Sequence, residues 1–269
     1  MDSMITPNMT GERIRKYLTE GKRFDGRKPF EFRNIEIETK ISKNAEGSVR
    51  VKIGNTEVMV GVKMATSVPY PDSPNEGTMM VTSELLPLSS PRFEYGPPKF
   101  PAIEVARLVD RAIRESKFIQ FDKLCIKEGE KVWTVFIDIY TINDDGNLQD
   151  AASIGALAAL KSAKIPKYDA ENDKVLFGEW TDENLPVSKD LPISMTFHKI
   201  GNNFIVDPTR DEEDISETRL TVGSTAGMIS SMQKGNSQTL SMEDLNIILD
   251  NVDSVRKTIA TAVEKIKWT

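Results

Sequence analysis

The chain has 269 residues, enough for one elaborated α/β domain or two smaller ones and for a sizeable core. Its 35 Lys and Arg against 41 Asp and Glu leave a net charge of −6, which excludes nucleic-acid binding by the surface as a whole and leaves a local basic face for that purpose. The single cysteine, Cys125, excludes an internal disulfide and a Cys-rich zinc site and suits a reducing compartment.

In chain order, a polar lead precedes Thr10–Gly21, where Ile14, Tyr17 and Leu18 share one face of an amphipathic helix. Thr10 is expected to cap its start, and Gly21 to close it in a left-handed turn. A charged turn, Lys22 to Arg27, leads to an alternating strand from Phe32 to Thr39. From Gly47, two period-2 runs flank Gly54-Asn55 and form a β-hairpin, with Val49, Val51 and Ile53 on one face and Val58, Val60 and Val62 on one face of the partner strand. An exposed loop, Ser67 to Glu76, precedes a strand over Thr78–Glu84, and a second irregular stretch runs from Pro87 to Pro98.

The next helix, about 101–118, carries Ile103, Ala106, Val109, Ala112 and Ile113 at the 3-4 spacing of a buried stripe. Arg107, Arg111 and Arg114 follow at one-turn intervals on a neighbouring face, where guanidinium groups in a row can grip successive phosphates. The competing possibility is a solvated face laced by Glu104, Asp110 and Glu115.

A strand over Phe121–Lys127, with Cys125 as a buried structural thiol, pairs with the long strand Val132–Ile142. The turn Asn143-Asp144-Asp145-Gly146 then opens a helix of Ala, Gly, Ile and Leu so small and apolar that it must be buried all round. Asp150 at its start reads as a helix cap. Lys167–Asp190 looks like a polar insertion, followed by a hairpin over Leu191–Ile200 and Asn203–Val206 across Gly201-Asn202. The acidic run Asp207 to Glu217 reads as a solvated turn; Asp207, Asp211, Glu212, Glu213 and Asp214 supply hard oxygen ligands, but at no calcium-loop spacing. After a strand over Thr218–Thr225, a last helix, about 241–267, opens at the capping box Ser241-Met-Glu-Asp244 with Leu240 and Leu245 as a hydrophobic staple. Its stripe is Ile248, Leu249, Val252, Val255, Ile259, Val263 and Ile266. The lone His198 alternates outward from Met195 and Phe197 and is expected at the surface. No cofactor, metal site or catalytic Ser/His/Asp or Cys/His set can be assembled. No apolar run approaches the ~20 residues of a bilayer span and nothing resembles a signal peptide, so a cytoplasmic chain without membrane contact is expected.

Five motifs, in this order, carry a resemblance to RNase PH proteins: Arg23-Phe-Asp-Gly-Arg27, the hairpin from Gly47 to Val58, the helix Glu104 to Arg114, Asp145-Gly-Asn-Leu-Gln-Asp-Ala-Ala152 and Asp207-Pro-Thr-Arg-Asp-Glu-Glu213. Within that family the chain resembles the non-catalytic RNase PH-like subunits of the archaeal exosome. The resemblance implies an α/β (α+β) fold, a single β-α-β-α domain over 1–269 with helices packed on mixed sheets. It also implies assembly with a catalytic paralogue as a hexameric ring of three heterodimers, with RNA cap-protein subunits and single-stranded RNA as further partners.

Active members of the family cleave RNA from its 3′ end with inorganic phosphate, which they hold with a Gly-Ser/Thr-Arg sequence before the buried helix. The matching positions here are Asn147, Leu148 and Gln149, so hydroxyl and guanidinium are gone, and Asp150 adds a carboxylate. Where those members carry an essential Asp, this chain aligns Arg219. The resemblance thus implies a subunit without catalytic residues of its own that binds RNA through Arg107, Arg111 and Arg114. The alternatives are an autonomous phosphorolytic exoribonuclease and a pure scaffold, and further RNA contacts are expected from Ala65 to Ser73.

Overall fold

Period-2 alternation in the first half of the chain builds a mixed sheet. In the computed structural model, which describes residues 6–266, β1 (Ile35–Thr39), β2 (Gly47–Ile53), β3 (Thr56–Ser67), β4 (Thr78–Glu84), β5 (Cys125–Lys127) and β6 (Lys131–Asn143) form it. Their order is β1-β2-β3-β6-β4, with β5 paired to β6. Central β6 meets β3 antiparallel and β4 parallel, which leaves β4 as an edge strand. The β2–β3 hairpin turns at Gly54-Asn55, and the valines and isoleucine of both expected faces are buried.

Between Leu148 and Leu160 every residue of α3 (Leu148–Ser162) except Ser153 is buried, because the helix is packed on two sides. One side meets β2 and β3, and the other meets β9 (Ile193–Ile200). The approach is set by small residues. A methyl on Gly155 would lie 2.6 Å from Val60 Cγ2, and one on Gly47 of β2 would lie 2.3 Å from the Ala159 carbonyl oxygen.

A second, antiparallel sheet among the described residues has the order β10-β9-β11-β12, with β10 (Asn203–Val206), β11 (Thr218–Thr225) and β12 (Met228–Gly235). The last helix, α5 (Met242–Glu264), packs on β9 and β11 and reaches β1. Buried apolar residues of both sheets, α2 (Phe100–Glu115), α3 and α5 form one continuous cluster. Ile14 and Leu18 of α1 (Asn8–Thr19) join Ile200 and Ile205 in a smaller one.

Several local expectations are corrected. Pro7, not Thr10, holds the N-cap position of α1, and Thr10 lies within its first turn. On α2 the buried face is Ala102, Val105, Leu108, Val109, Ala112 and Ile113, so Ile103 turns outward. Phe121–Leu124 is a 3-10 turn, which shortens the following strand to β5; pairing only with β6, that short strand leaves Cys125 half-buried. The polar insertion is a hairpin, β7 (Lys164–Asp169) and β8 (Lys174–Asn184), whose Ile165, Tyr168 and Val175 pack against the core. Within the acidic run lies α4 (Arg210–Asp214), and β12 was not anticipated.

The Ser241–Asp244 capping box is formed, with Leu240 and Leu245 packed on the core, while Leu249 at the margin of the stripe is exposed. The expected end of that helix at 267 lies outside the described residues. His198 is 2% exposed, against expectation. Lys199 reaches Asp244 of α5 and Thr196 reaches Asp150 of α3, so alternate residues of β9 face different helices and neither face meets solvent. No helix among the described residues is long and apolar enough to cross a membrane.

Candidate functional site

The first turns of α2 separate two concavities. On one side, β4 and α2 enclose a groove of about 560 Å³ lined by Met79 to Ser83, Ile103, Ala106, Arg107, Asp110, Arg111 and Arg114. All three arginines expected to bind RNA therefore border one groove. Their ionic states differ. Asp110 holds Arg114 through Nη2–Oδ1 and Nε–Oδ2 contacts of 2.7 and 3.2 Å, and these hydrogen bonds push the Arg114 pKa further up. Glu104 is claimed from outside the helix by Arg219 of β11, with Nη2 2.5 Å from Oε2. Arg107 and Arg111 make no hydrogen bond or ion pair among the described residues. The lacing of this face by Glu104 and Asp110 is thus diverted to Arg219 and Arg114, and two guanidinium groups stay open to a ligand.

Ser83 was not singled out from the sequence, yet it borders both concavities. It is 4% exposed and its hydroxyl has no hydrogen-bond partner among the described residues. The clue lay in the alternation of β4, which turns Met79 and Ser83 inward while Met80 and Thr82 turn out. Ala65 to Ser67 close β3, and the loop that follows to Ser73 leaves Val68 and Tyr70 exposed, with Tyr70 close enough to Arg114 to interact with its charge.

The second concavity, about 860 Å³, lies between the segment from Pro87 to Pro101 and the start of α3, and is lined by Leu148, Gln149, Arg210, Glu213, Arg219 and Asn236. Its cations are already neutralised. Arg219 donates to Glu104 and to Asn236 Oδ1 (2.8 Å), and with the Gln149 amide oxygen turned toward it donates 3.1 and 3.2 Å bonds there as well. Arg210 pairs with Asp144, Glu213 and Asp214, Arg92 pairs with Asp214, and Lys99 pairs with Glu94.

The positive start of α3 is occupied by the protein itself, because Glu213 accepts from the Asn147 backbone N–H at 2.9 Å. Burial favours the neutral acid, but Arg210 and the Asn147 amide hold the Glu213 pKa below its usual value. Asp150 is not the cap expected there. Asn147 takes the N-cap position in a left-handed conformation (φ 62°), and Asp150, one turn inside, accepts from the Thr196 amide and hydroxyl at 3.2 and 2.8 Å. Burial pushes the Asp150 pKa up to about 7, against those hydrogen bonds and with Asp207 adding to the rise.

The motif residues read as charged turns are a buried ionic network. Arg23, 3% exposed, grips both oxygens of Glu212, while Asp207 accepts from Arg27, from the side chain and amide of Arg33, and from Asn147. Asp214 binds Thr6, Arg92 and Arg210, and Asp211 binds Thr6. Most of the acidic run is therefore engaged by the protein's own cations and donors, with Asp211 left exposed, and no cluster among the described residues is placed to hold a metal ion. His198 contacts Ser216 Oγ through Nδ1 at 3.2 Å; burial pushes its pKa down to about 4, with Arg219 and Arg210 adding and Glu213 opposing. Its ring is buried and neutral at pH 7.

Residues 31–166 match the model of domain 1 of the 3′ exoribonuclease family, RNase PH, and residues 190–251 match its domain 2. The chain is 43% identical over 263 residues to exosome complex component Rrp42 of Methanothermobacter thermautotrophicus, covering 97% of this chain and 93% of that protein. A chain of the Archaeoglobus fulgidus exosome solved with RNA bound to the active site superposes with a TM-score of 0.86 at 42% identity, covering 94% of this chain and 98% of that one. A chain of an archaeal exosome core gives 0.83 at 39% identity, with 95% and 96% covered. The chain belongs to the RNase PH, 3′ exoribonuclease family.

Proposed function

We propose that this chain is a cytoplasmic subunit of an archaeal exosome which has no phosphorolytic centre of its own and grips single-stranded RNA beside the active site of a catalytic RNase PH-like paralogue. Three such heterodimers would close a hexameric ring bearing RNA cap-protein subunits. The similarity to exosome chains supports the assembly. The cavity at the start of α3 supports the absence of catalysis, since its guanidinium groups carry protein partners and the Glu213 carboxylate already sits on the Asn147 amide at the helix start, where it would repel an incoming anion.

The observation that carries the RNA reading is the pair Arg107 and Arg111, without ion pairs among the described residues although acids flank them on the same helix. One helical turn apart, about 6 Å along the axis, they match the scale of neighbouring phosphates on an extended strand. Arg114, tied to Asp110, ranks behind them. Their contribution is electrostatic and independent of base sequence.

The test replaces both residues in the assembled ring. Arg107→Ala with Arg111→Ala should weaken single-stranded RNA binding and lower the slope of log affinity against log salt by about 1.4, at about 0.7 per lost contact. Assembly should be retained. An unchanged affinity and salt slope in an intact ring would reduce the arginine face to a solvated surface and the chain to a scaffold.

A further inference from the structure

Arg219 and Glu104 form an ion pair in the wall of the second concavity, with Glu104 on the same helix as Arg107 of the first. The pair is largely shielded, each side chain 13% exposed, and Arg219 is further fixed by Asn236 and Gln149. Glu104 stands three residues before Arg107 on α2, within side-chain reach on a helix surface. Without a partner from another element, its carboxylate would be free to pair with Arg107 across one helical turn. Asp110, three residues beyond Arg107, is likewise engaged elsewhere, by Arg114.

We propose that Arg219 is a positioning residue for RNA: by holding Glu104 against β11 it keeps the Arg107 guanidinium free and turned to the groove. Arg219 touches no substrate in this scheme. It acts by withdrawing an intramolecular competitor for a phosphate, so a residue inside the second cavity controls binding in the first. The inference rests on the RNA-binding role of Arg107 proposed above.

Equilibrium binding of a fluorescein-labelled oligoadenylate to the assembled ring, without phosphate and over a series of salt concentrations, tests it. Arg219→Gln should weaken binding about three- to tenfold and lower the salt slope by about 0.7, as expected when one phosphate contact is lost. Arg219→Lys, which can still hold the carboxylate, should remain near the wild type. Glu104→Gln alone should not weaken binding, and Glu104→Gln with Arg219→Gln should restore it, because no carboxylate is left to capture Arg107. A purely structural role for the pair predicts no such rescue, so failure of the double variant to recover overturns the inference. Arg107→Ala in the same assay separates the two levels. If it weakens binding while Arg219→Gln does not, the positioning role is wrong and the groove stands. If Arg107→Ala has no effect, the groove and the positioning role fail together.

Discussion

Breaking the ion pair between Arg23 and Glu212 measures how far the family motifs serve the fold. Their side chains are 0% and 4% exposed, and Arg23 donates through Nε (2.9 Å) and Nη2 to the two carboxylate oxygens, and further to the carbonyls of Val206 (3.0 Å) and Asp207 (2.8 Å). Arg23→Met leaves Glu212 buried with the Thr209 amide and hydroxyl as its remaining donors among the described residues. Removing one partner of a buried pair costs about 3–5 kcal/mol, because the other charge stays desolvated. At about 2–4 °C per kcal/mol for a chain near this size, the melting temperature should fall by roughly 10 °C. Adding Glu212→Leu removes the stranded charge and should recover at least about half of the loss, even though the Val206 carbonyl loses its Arg23 donor while that of Asp207 keeps Arg27. Chemical denaturation followed by far-UV circular dichroism reads the free energies, and the one hydrophobic cluster spanning both sheets predicts a single transition. A loss below about 1 kcal/mol for Arg23→Met, or no recovery in the double variant, would refute the structural role assigned to this motif.

Two further outcomes concern the buried helix. The folded pKa of Asp150, about 7, is raised above its unfolded value of 3.8, so the folded state binds more protons between those limits and loses stability as pH rises through them. Relative to Asp150→Asn, the wild type should lose about 1.4 kcal/mol per pH unit across that window in pH-dependent denaturation. The His198 pKa is depressed from 6.5 to about 4, so its contribution falls as pH drops through 6.5, and Asp150→Asn should leave that opposite slope uncovered. An equal pH dependence in both proteins would contradict the buried carboxyl. Of the two glycines at the sheet–helix contact, Gly47→Ala should cost more, about 3 kcal/mol, because its methyl meets the Ala159 carbonyl and the backbone of Ala163. Gly155→Ala meets the Val60 side chain and gains helix propensity, so about 1 kcal/mol is expected; the reverse order in thermal melts would show that the helix, not the strand, sets the approach.

The sequence was most legible where one local rule dominates. Gly54-Asn55 between two alternating runs fixed a hairpin and its register, Thr78–Glu84 and Thr218–Thr225 kept their expected limits, and the small residues of α3 announced burial on all sides. Charge was the misleading signal. Arg23, Arg27 and Arg33 look exposed until the fold brings them to Glu212 and Asp207 from the other end of the chain. The spacing Thr209-Arg-Asp-Glu212 is itself a capping box and could have disclosed α4, but the surrounding acids suggested a solvated turn. For His198 the alternation was read correctly; the covering of its face by α3 is a tertiary fact that no period along β9 contains. The arginine row was visible as a spacing, whereas the diversion of Glu104 to Arg219, 115 residues away, was not.

The most direct measurement compares phosphate-dependent release of nucleoside diphosphates from one single-stranded RNA by this chain alone, by its catalytic paralogue alone and by the two assembled. A non-catalytic subunit that guides RNA predicts no release by the isolated chain and greater release by the assembly than by the paralogue. Restoring hydroxyl and guanidinium with Leu148→Ser and Gln149→Arg should leave the isolated chain inactive, because Glu213 still occupies the Asn147 amide and Arg219 still fills the cavity wall. Robust phosphate-dependent turnover by the purified wild-type chain would contradict the account at its centre.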